Sequence, residues 1–148
     1  MTERVIVRQN NQFETEFLST DPHRPESEEF KSVKKIHQLT PHGLLLAGLG
    51  GCTAILLHTY AQNHGLNLRD VELRLTYDEA FKENSEEIDR YLEQIEEELV
   101  LSGELAEDER NKLFMIAKQC SIHKMIEEGI HIESRLVEPE AMQNELYH

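Results

Sequence analysis

The sequence predicts one domain that mixes strands and helices around a single long apolar helix. Three observations carry this. Residues 5–17 and 71–77 alternate apolar with polar side chains, the period of a strand with one wet face. Residues 36–68 contain no Asp, Glu, Lys or Arg, and a helix apolar all round is a buried one. At 148 residues the chain is long enough to build a core that covers it.

The first 20 residues form a hairpin: Val5 and Val7 alternate with polar neighbours, Asn10-Asn11 make the turn, and Phe13, Thr15 and Phe17 alternate on the return. The stretch DPHRPESEE is a loop by its proline and charge. Phe30, Val33 and Ile36 then recur every three residues, the spacing of a short helix. Thr40-Pro41 supplies a helix start, a capping hydroxyl followed by proline at the first position, and Gly65 supplies the stop, giving a helix over residues 40–64. Cys52 shares a face of it with Leu45, Gly48, Leu49, Ile55, Leu56 and Thr59. Gly48, Gly50 and Gly51 each weaken that helix by about 1 kcal/mol relative to Ala, which calls for a close neighbour there.

Val71, Leu73, Leu75 and Tyr77 make a strand. The following stretch fits two patterns: Ile88, Tyr91, Leu92, Ile95 and Leu99 as a helical stripe, or Ile95, Glu97, Leu99 and Leu101 as an alternating strand, closed by Ser102-Gly103. Glu107, Asp108 and Glu109 favour a helix N-terminus, so residues 106–120 form a second helix whose stripe is Leu113, Ile116, Ala117 and Cys120. After Gly129, Ile130, Ile132, Ser134 and Leu136 alternate as a last strand, and residues 138–148 are a loose acidic tail. No repeat or linker divides the chain, which is read as a single domain over residues 1–148.

Charge narrows the function classes. Against 29 Asp and Glu stand 15 Lys and Arg, a net −14, a field that repels nucleic-acid backbones and anionic lipid surfaces. The start, MTERVIVRQNNQ, has no sustained apolar run, so no secretion signal is expected and the cytoplasm is the expected compartment. The uncharged helix has almost the length of a membrane span, but His42, His58, His64, Thr53 and Thr59 and the lack of an aromatic belt argue for burial in protein instead.

The chemistry rests on two cysteines, Cys52 and Cys120, too few for a disulfide framework and each on the apolar face of its own helix. Packed together, the two helices could bring the sulfurs within bonding reach. Burial alone would make Cys52 inert, whereas Cys120, among Lys118, His123 and Lys124, has the surroundings that favour thiolate. Cys120-Ser-Ile-His123 also has the C-x-x-H spacing of half a zinc site, with no second half in the sequence. GLGGC lacks the strand and the Lys of a phosphate loop, and no cofactor is expected.

Two segments together match something specific. TPHGLLLAGLGGCTAILLHTYAQNHGLNLRDVELRLTY resembles the first-cysteine helix of the OsmC/Ohr family, the osmotically inducible and organic hydroperoxide resistance proteins. SGELAEDERNKLFMIAKQCSIHKMIEEGIHIESRL resembles the family's second-cysteine segment, whose Cys-Pro-Val-His tetrad is here Cys120-Ser121-Ile122-His123. The resemblance implies an α+β fold, two small antiparallel sheets around long central helices, in an intertwined homodimer with two sites. It implies Cys52 as the peroxidatic and Cys120 as the resolving cysteine of a thiol peroxidase of the oxidative stress response. Such an enzyme reduces small organic hydroperoxides and is reopened by a dithiol reductant. The family's activating glutamate stands ten residues before the first cysteine; here that position is His42, followed by Gly43. Arg24 is the one arginine in the N-terminal part placed to serve as the activating cation. The alternative within the same family is a protein that binds an apolar ligand or senses redox state at the dimer pocket.

Overall fold

The computed structural model describes residues 2–20, 29–79 and 93–139. Strand β1 (Thr2–Asn10) runs into a turn that the Asn10 side chain organises, its oxygen accepting the backbone N–H of Gln12 and of Glu14, each at 3.0 Å. Those bonds hold Phe13 at φ 64°, so the return strand β2 (Thr15–Ser19) starts two residues later than the alternation predicts. A short edge strand β3 (Lys31–Ser32) follows. The helical spacing after it produces one tight turn only, Ile36–Gln38, where the Gln38 carboxamide accepts the N–H groups of Lys34 and Lys35 at 2.7 and 2.9 Å.

Helix α1 (Pro41–Asn63) begins where Thr40 accepts the Gly43 N–H at 3.1 Å, with Pro41 at its first position. Strand β4 (Asn67–Glu79) leaves it through Gly65, whose φ of +65° lets the chain reverse. Strand β5 (Glu93–Glu104) pairs with β4 along its length and decides the two-pattern segment: Leu73 faces Leu99, Leu75 faces Glu97 and Tyr77 faces Ile95. The start of the alternative helical stripe, Ile88, Tyr91 and Leu92, lies outside the described residues. Helix α2 (Glu107–Ala117) starts with the Glu109 carboxylate accepting the Ala106 N–H at 2.8 Å. Helix α3 (Ser121–Glu128) follows after three residues and ends at Gly129.

All pairings are antiparallel and the sheet order is β3-β2-β1-β4-β5. Two small sheets are expected; the described strands form one. The reason is β1, which pairs β2 on one edge and β4 on the other and so fuses the two hairpins into a continuous ladder. A second departure concerns residues 130–136, expected as a strand. They join no ladder, and Ile130, Ile132 and Leu136 are 63%, 77% and 99% exposed. Alternation marks a face, but a strand forms only where a neighbouring edge is offered, and the described sheet offers this segment none of its pairings.

The core lies between α1 and one face of the sheet. Val5 and Val7 of β1 sit opposite Leu75 and Leu73 of β4, and Leu46, Ala54, Leu57 and Ala61 of α1 close over them. Each of these valines and leucines contributes about 1.5–3 kcal/mol on burial. Gly50 is the point of closest approach: a β-carbon there would stand 2.6 Å from Val7 and 2.8 Å from Leu75. Leu113 and Ala117 of α2 seal one side of the same core. By length and composition α1 could cross a membrane, yet half of its most apolar window is buried on the sheet. Its remaining face is bare: Leu44, Leu45 and Ile55 are 43%, 42% and 51% exposed.

Candidate active site

Cys52 lies at mid-length on α1, on the same side as the exposed Leu45, Gly48, Ile55 and Thr59, and is partly exposed. Cys120 is the residue that caps α3, directly after the turn that ends α2, and is 1% exposed. Helices α1 and α2 pack together, and the result is a sulfur–sulfur hydrogen bond: the two Sγ atoms stand 3.2 Å apart, with no covalent bond between them. The sequence pattern puts each thiol on an apolar helix face; the fold makes those faces meet.

The two sulfurs are electrostatically unequal. Burial pushes Cys52 up to about 11, and the hydrogen bond to Cys120 and the charge on it push the same way, with the Ile122 N–H pulling against them. Burial also pushes Cys120 up, but the His123 N–H, the Cys52 thiol, the Ile122 N–H and the Thr53 side chain outweigh it and leave Cys120 below an ordinary thiol. The more acidic sulfur is thus the one local charge singles out, for a different reason. Backbone N–H groups at the start of α3 do what Lys118 and Lys124 were expected to do. Lys118 is turned to the Phe114 ring, 4.6 Å from its centroid.

Beside the pair lies a cavity of about 580 Å³. Leu49, one turn before Cys52, and His123, one turn after Cys120, both line it. Leu45, Ile95 and Ile126 make its wall apolar, while Glu93, Glu97, Glu127 and Glu128 give its rim negative charge. His42 borders the same cavity, its ring stacked on Tyr77 with centroids 4.3 Å apart. Glu97 is raised, by burial first, with the nearby His123 opposing, and its Oε2 is buried without a hydrogen-bond partner. The His123 ring reaches Glu127, 3.3 Å away. Among the described residues no three ligand-type side chains are gathered as a metal site would need. His58, the buried histidine of α1, bonds the Gln9 carbonyl through Nε2 at 2.9 Å and belongs to the core.

Glu3 escaped the sequence reasoning. It is 2% exposed, accepts the Thr40 hydroxyl, and occupies the space that a side chain at position 43 would need. A carboxylate therefore does stand against Gly43, carried by β1. The signal was present, since Glu3 shares the period-two inward face of Val5 and Val7. Cys52 lies nine positions after Gly43 along the helix, about 13 Å of rise, so this carboxylate does not touch the sulfur. Arg24 lies outside the described residues.

A dithiol on the junction of three helices, packed on an antiparallel sheet and opening beside an apolar cavity, defines an α+β protein built around a cysteine pair. The chain belongs to the family of OsmC-like proteins, whose pattern it matches over residues 34–135. In structure it is similar to an OsmC-like hydroperoxide resistance protein from Jannaschia sp. CCS1, with a TM-score of 0.57, 17% identity, and 94% of this chain and 95% of that one covered. It is also similar to an OsmC-like protein from Mycoplasma pneumoniae, with a TM-score of 0.49, 14% identity, and 82% and 85% of the two chains covered. No curated protein matches the sequence.

Proposed function

We propose that the protein is a thiol peroxidase that reduces organic hydroperoxides, with Cys52 as nucleophile and Cys120 as resolving thiol. The observation that carries this reading is the 3.2 Å sulfur–sulfur contact, close enough for the pair to close into a disulfide after small movement. Cys52 is the more accessible of the two and so the one a peroxide meets first. Its sulfur attacks the distal peroxide oxygen, the O–O bond breaks, and the alcohol leaves. Cys120 then displaces hydroxide from the sulfenic acid, and a dithiol reductant reopens the disulfide. The apolar wall of the neighbouring cavity suits the organic part of such a substrate. The hydroperoxide resistance protein among the similar structures fits the same reading.

The working form in this reading is a homodimer in a reducing compartment, the cytoplasm. A second copy accounts for the bare side of α1, for the exposed Phe114 and Met115 of α2, and for the unpaired, apolar-alternating residues 130–136. The test is turnover of cumene hydroperoxide with dithiothreitol and with glutathione. Sustained turnover with the dithiol and loss of turnover in Cys52→Ser support the reading; an inert wild type ends it. Light scattering that shows a monomer ends the dimer part alone. The cavity's apolar lining favours the second reading, an apolar-ligand binder. An apolar molecule carried through purification by a protein whose thiols ignore peroxide would establish it.

A further inference from the structure

The proposed peroxidase leaves one step without an agent: something must take the proton from Cys52, a half-buried thiol with no cationic side chain acting on it among the described residues. We propose that Cys120 is that agent, serving as the proton acceptor for Cys52 before it serves as the resolving nucleophile. This inference rests on the peroxidase reading and adds a catalytic role to a residue that resolving alone would leave idle until the sulfenic acid has formed.

The geometry is a cluster. Cys120 Sγ is 3.2 Å from Cys52 Sγ, a hydrogen-bond distance for sulfur. It is held at the start of α3, where the N–H groups of Ile122 and His123 are turned to it, and the Thr53 side chain lies against it from α1. Two amide donors on one sulfur stabilise its anion as they would any anion at a helix N-terminus. Cys52 receives only the Ile122 N–H. Once the pair has lost one proton, the remaining proton therefore rests on Cys52 and the charge on Cys120. No other titratable side chain acts on either sulfur among the described residues. Lys118, two positions before Cys120, is turned to the Phe114 ring, and His123 is directed to Glu127 of its own helix and acts on Glu97 of β5.

The step balances without any further group. As the Cys52 sulfur bonds to the distal peroxide oxygen, its proton passes to Cys120, and the departing alkoxide takes that proton back and leaves as the alcohol. Cys120 is then a thiolate again, 3.2 Å from the new sulfenic sulfur in the reduced arrangement, and attacks it with release of hydroxide. One thiol thus acts as base, as acid and as nucleophile, and the pair loses two electrons to the peroxide. This arrangement supplies the activation that position 42 cannot, because a histidine stacked on Tyr77 carries no carboxylate.

The experiment follows the first turnover by rapid mixing of reduced protein with cumene hydroperoxide, trapping sulfenic acid with dimedone, for wild type, Cys120→Ser and Cys52→Ser. The expected result is a first step at pH 7 slowed 10- to 100-fold in Cys120→Ser, with the gap closing above pH 10, where Cys52 ionises unaided. A merely resolving Cys120 would leave that first step at the wild-type rate or, with two causes that raise Cys52 removed, faster, and either result overturns the proposal. A loss that persists at pH 10.5 also overturns it, because damage to folding is not repaired by alkali. Sulfenic acid formed on Cys120 in Cys52→Ser at the wild-type rate overturns it by exchanging the roles. If the wild type consumes no hydroperoxide, the peroxidase reading falls separately. The proton transfer is then read on iodoacetamide alkylation of Cys52, with the same loss at pH 7 and the same recovery expected.

Discussion

Cys52 and Cys120, 68 positions apart in sequence, hold their sulfurs at 3.2 Å without a bond, one on the middle of α1 and the other on the first position before α3. A disulfide between them would close a long loop of the unfolded chain, a constraint worth roughly 4 kcal/mol by chain entropy. Oxidation with diamide is expected to raise the melting temperature by roughly 10 °C relative to the reduced protein. Melting followed by circular dichroism reads this directly, and equal midpoints for the two forms would contradict a pair already in bonding position.

The unequal sulfurs predict a two-step pH profile for alkylation. Cys120 titrates below the ordinary thiol value and Cys52 at about 11, so reactivity rises first below pH 9 and again towards pH 11. Exposure directs the label to Cys52, since Cys120 is buried. Removing Cys120 takes away two of the three causes that raise Cys52, so Cys120→Ser should show one inflection between those steps. Peptide mass spectrometry across pH 6–11 distinguishes the two profiles.

The two cysteines, the α1 boundaries and the alternation of β1 and β4 were legible in the sequence, because each rests on local chemistry: a Thr-Pro start, period two, an uncharged run. The proximity of the sulfurs was legible only as a possibility, since two apolar helix faces specify burial and not which neighbour they bury against. The source of the Cys120 acidity was not legible, because backbone N–H groups leave no mark in composition. The single sheet was missed for a related reason: β1 pairs on both edges, and alternation does not count partners. Glu3 was readable by period but was passed over because a carboxylate is seldom placed on a core face.

The rim of the cavity predicts charge selection. Glu93, Glu97, Glu127 and Glu128 border it and no Lys or Arg does among the described residues. A neutral hydroperoxide should therefore exceed a carboxylate-bearing one in kcat/KM by about tenfold at low salt, with the ratio narrowing as salt screens the rim. Glu97 gives the same prediction a stability readout. Its raised pKa means that its contribution to stability is full below the unfolded value and is lost as pH rises through the folded one. Glu97→Gln should thus raise the melting temperature by about 1–3 °C at pH 8 and leave it unchanged at pH 4. Equal treatment of both substrates, with no change at pH 8, would contradict this view of the rim.

Gly50 predicts a packing cost. A methyl group there enters the space of Val7 and Leu75, and overpacking of this kind costs about 1–3 kcal/mol, more than the gain in helix propensity. Gly50→Ala should lower the melting temperature by about 3–6 °C. An unchanged midpoint would show that α1 does not approach the sheet as closely as described.

The central claim is that this cysteine pair reduces a hydroperoxide. Its most direct measurement mixes reduced protein with one equivalent of cumene hydroperoxide and counts two products, the alcohol and the Cys52–Cys120 disulfide peptide. The account predicts one of each per peroxide consumed, and neither the alcohol nor the disulfide in Cys52→Ser. A wild type that keeps both thiols while the hydroperoxide persists would contradict it.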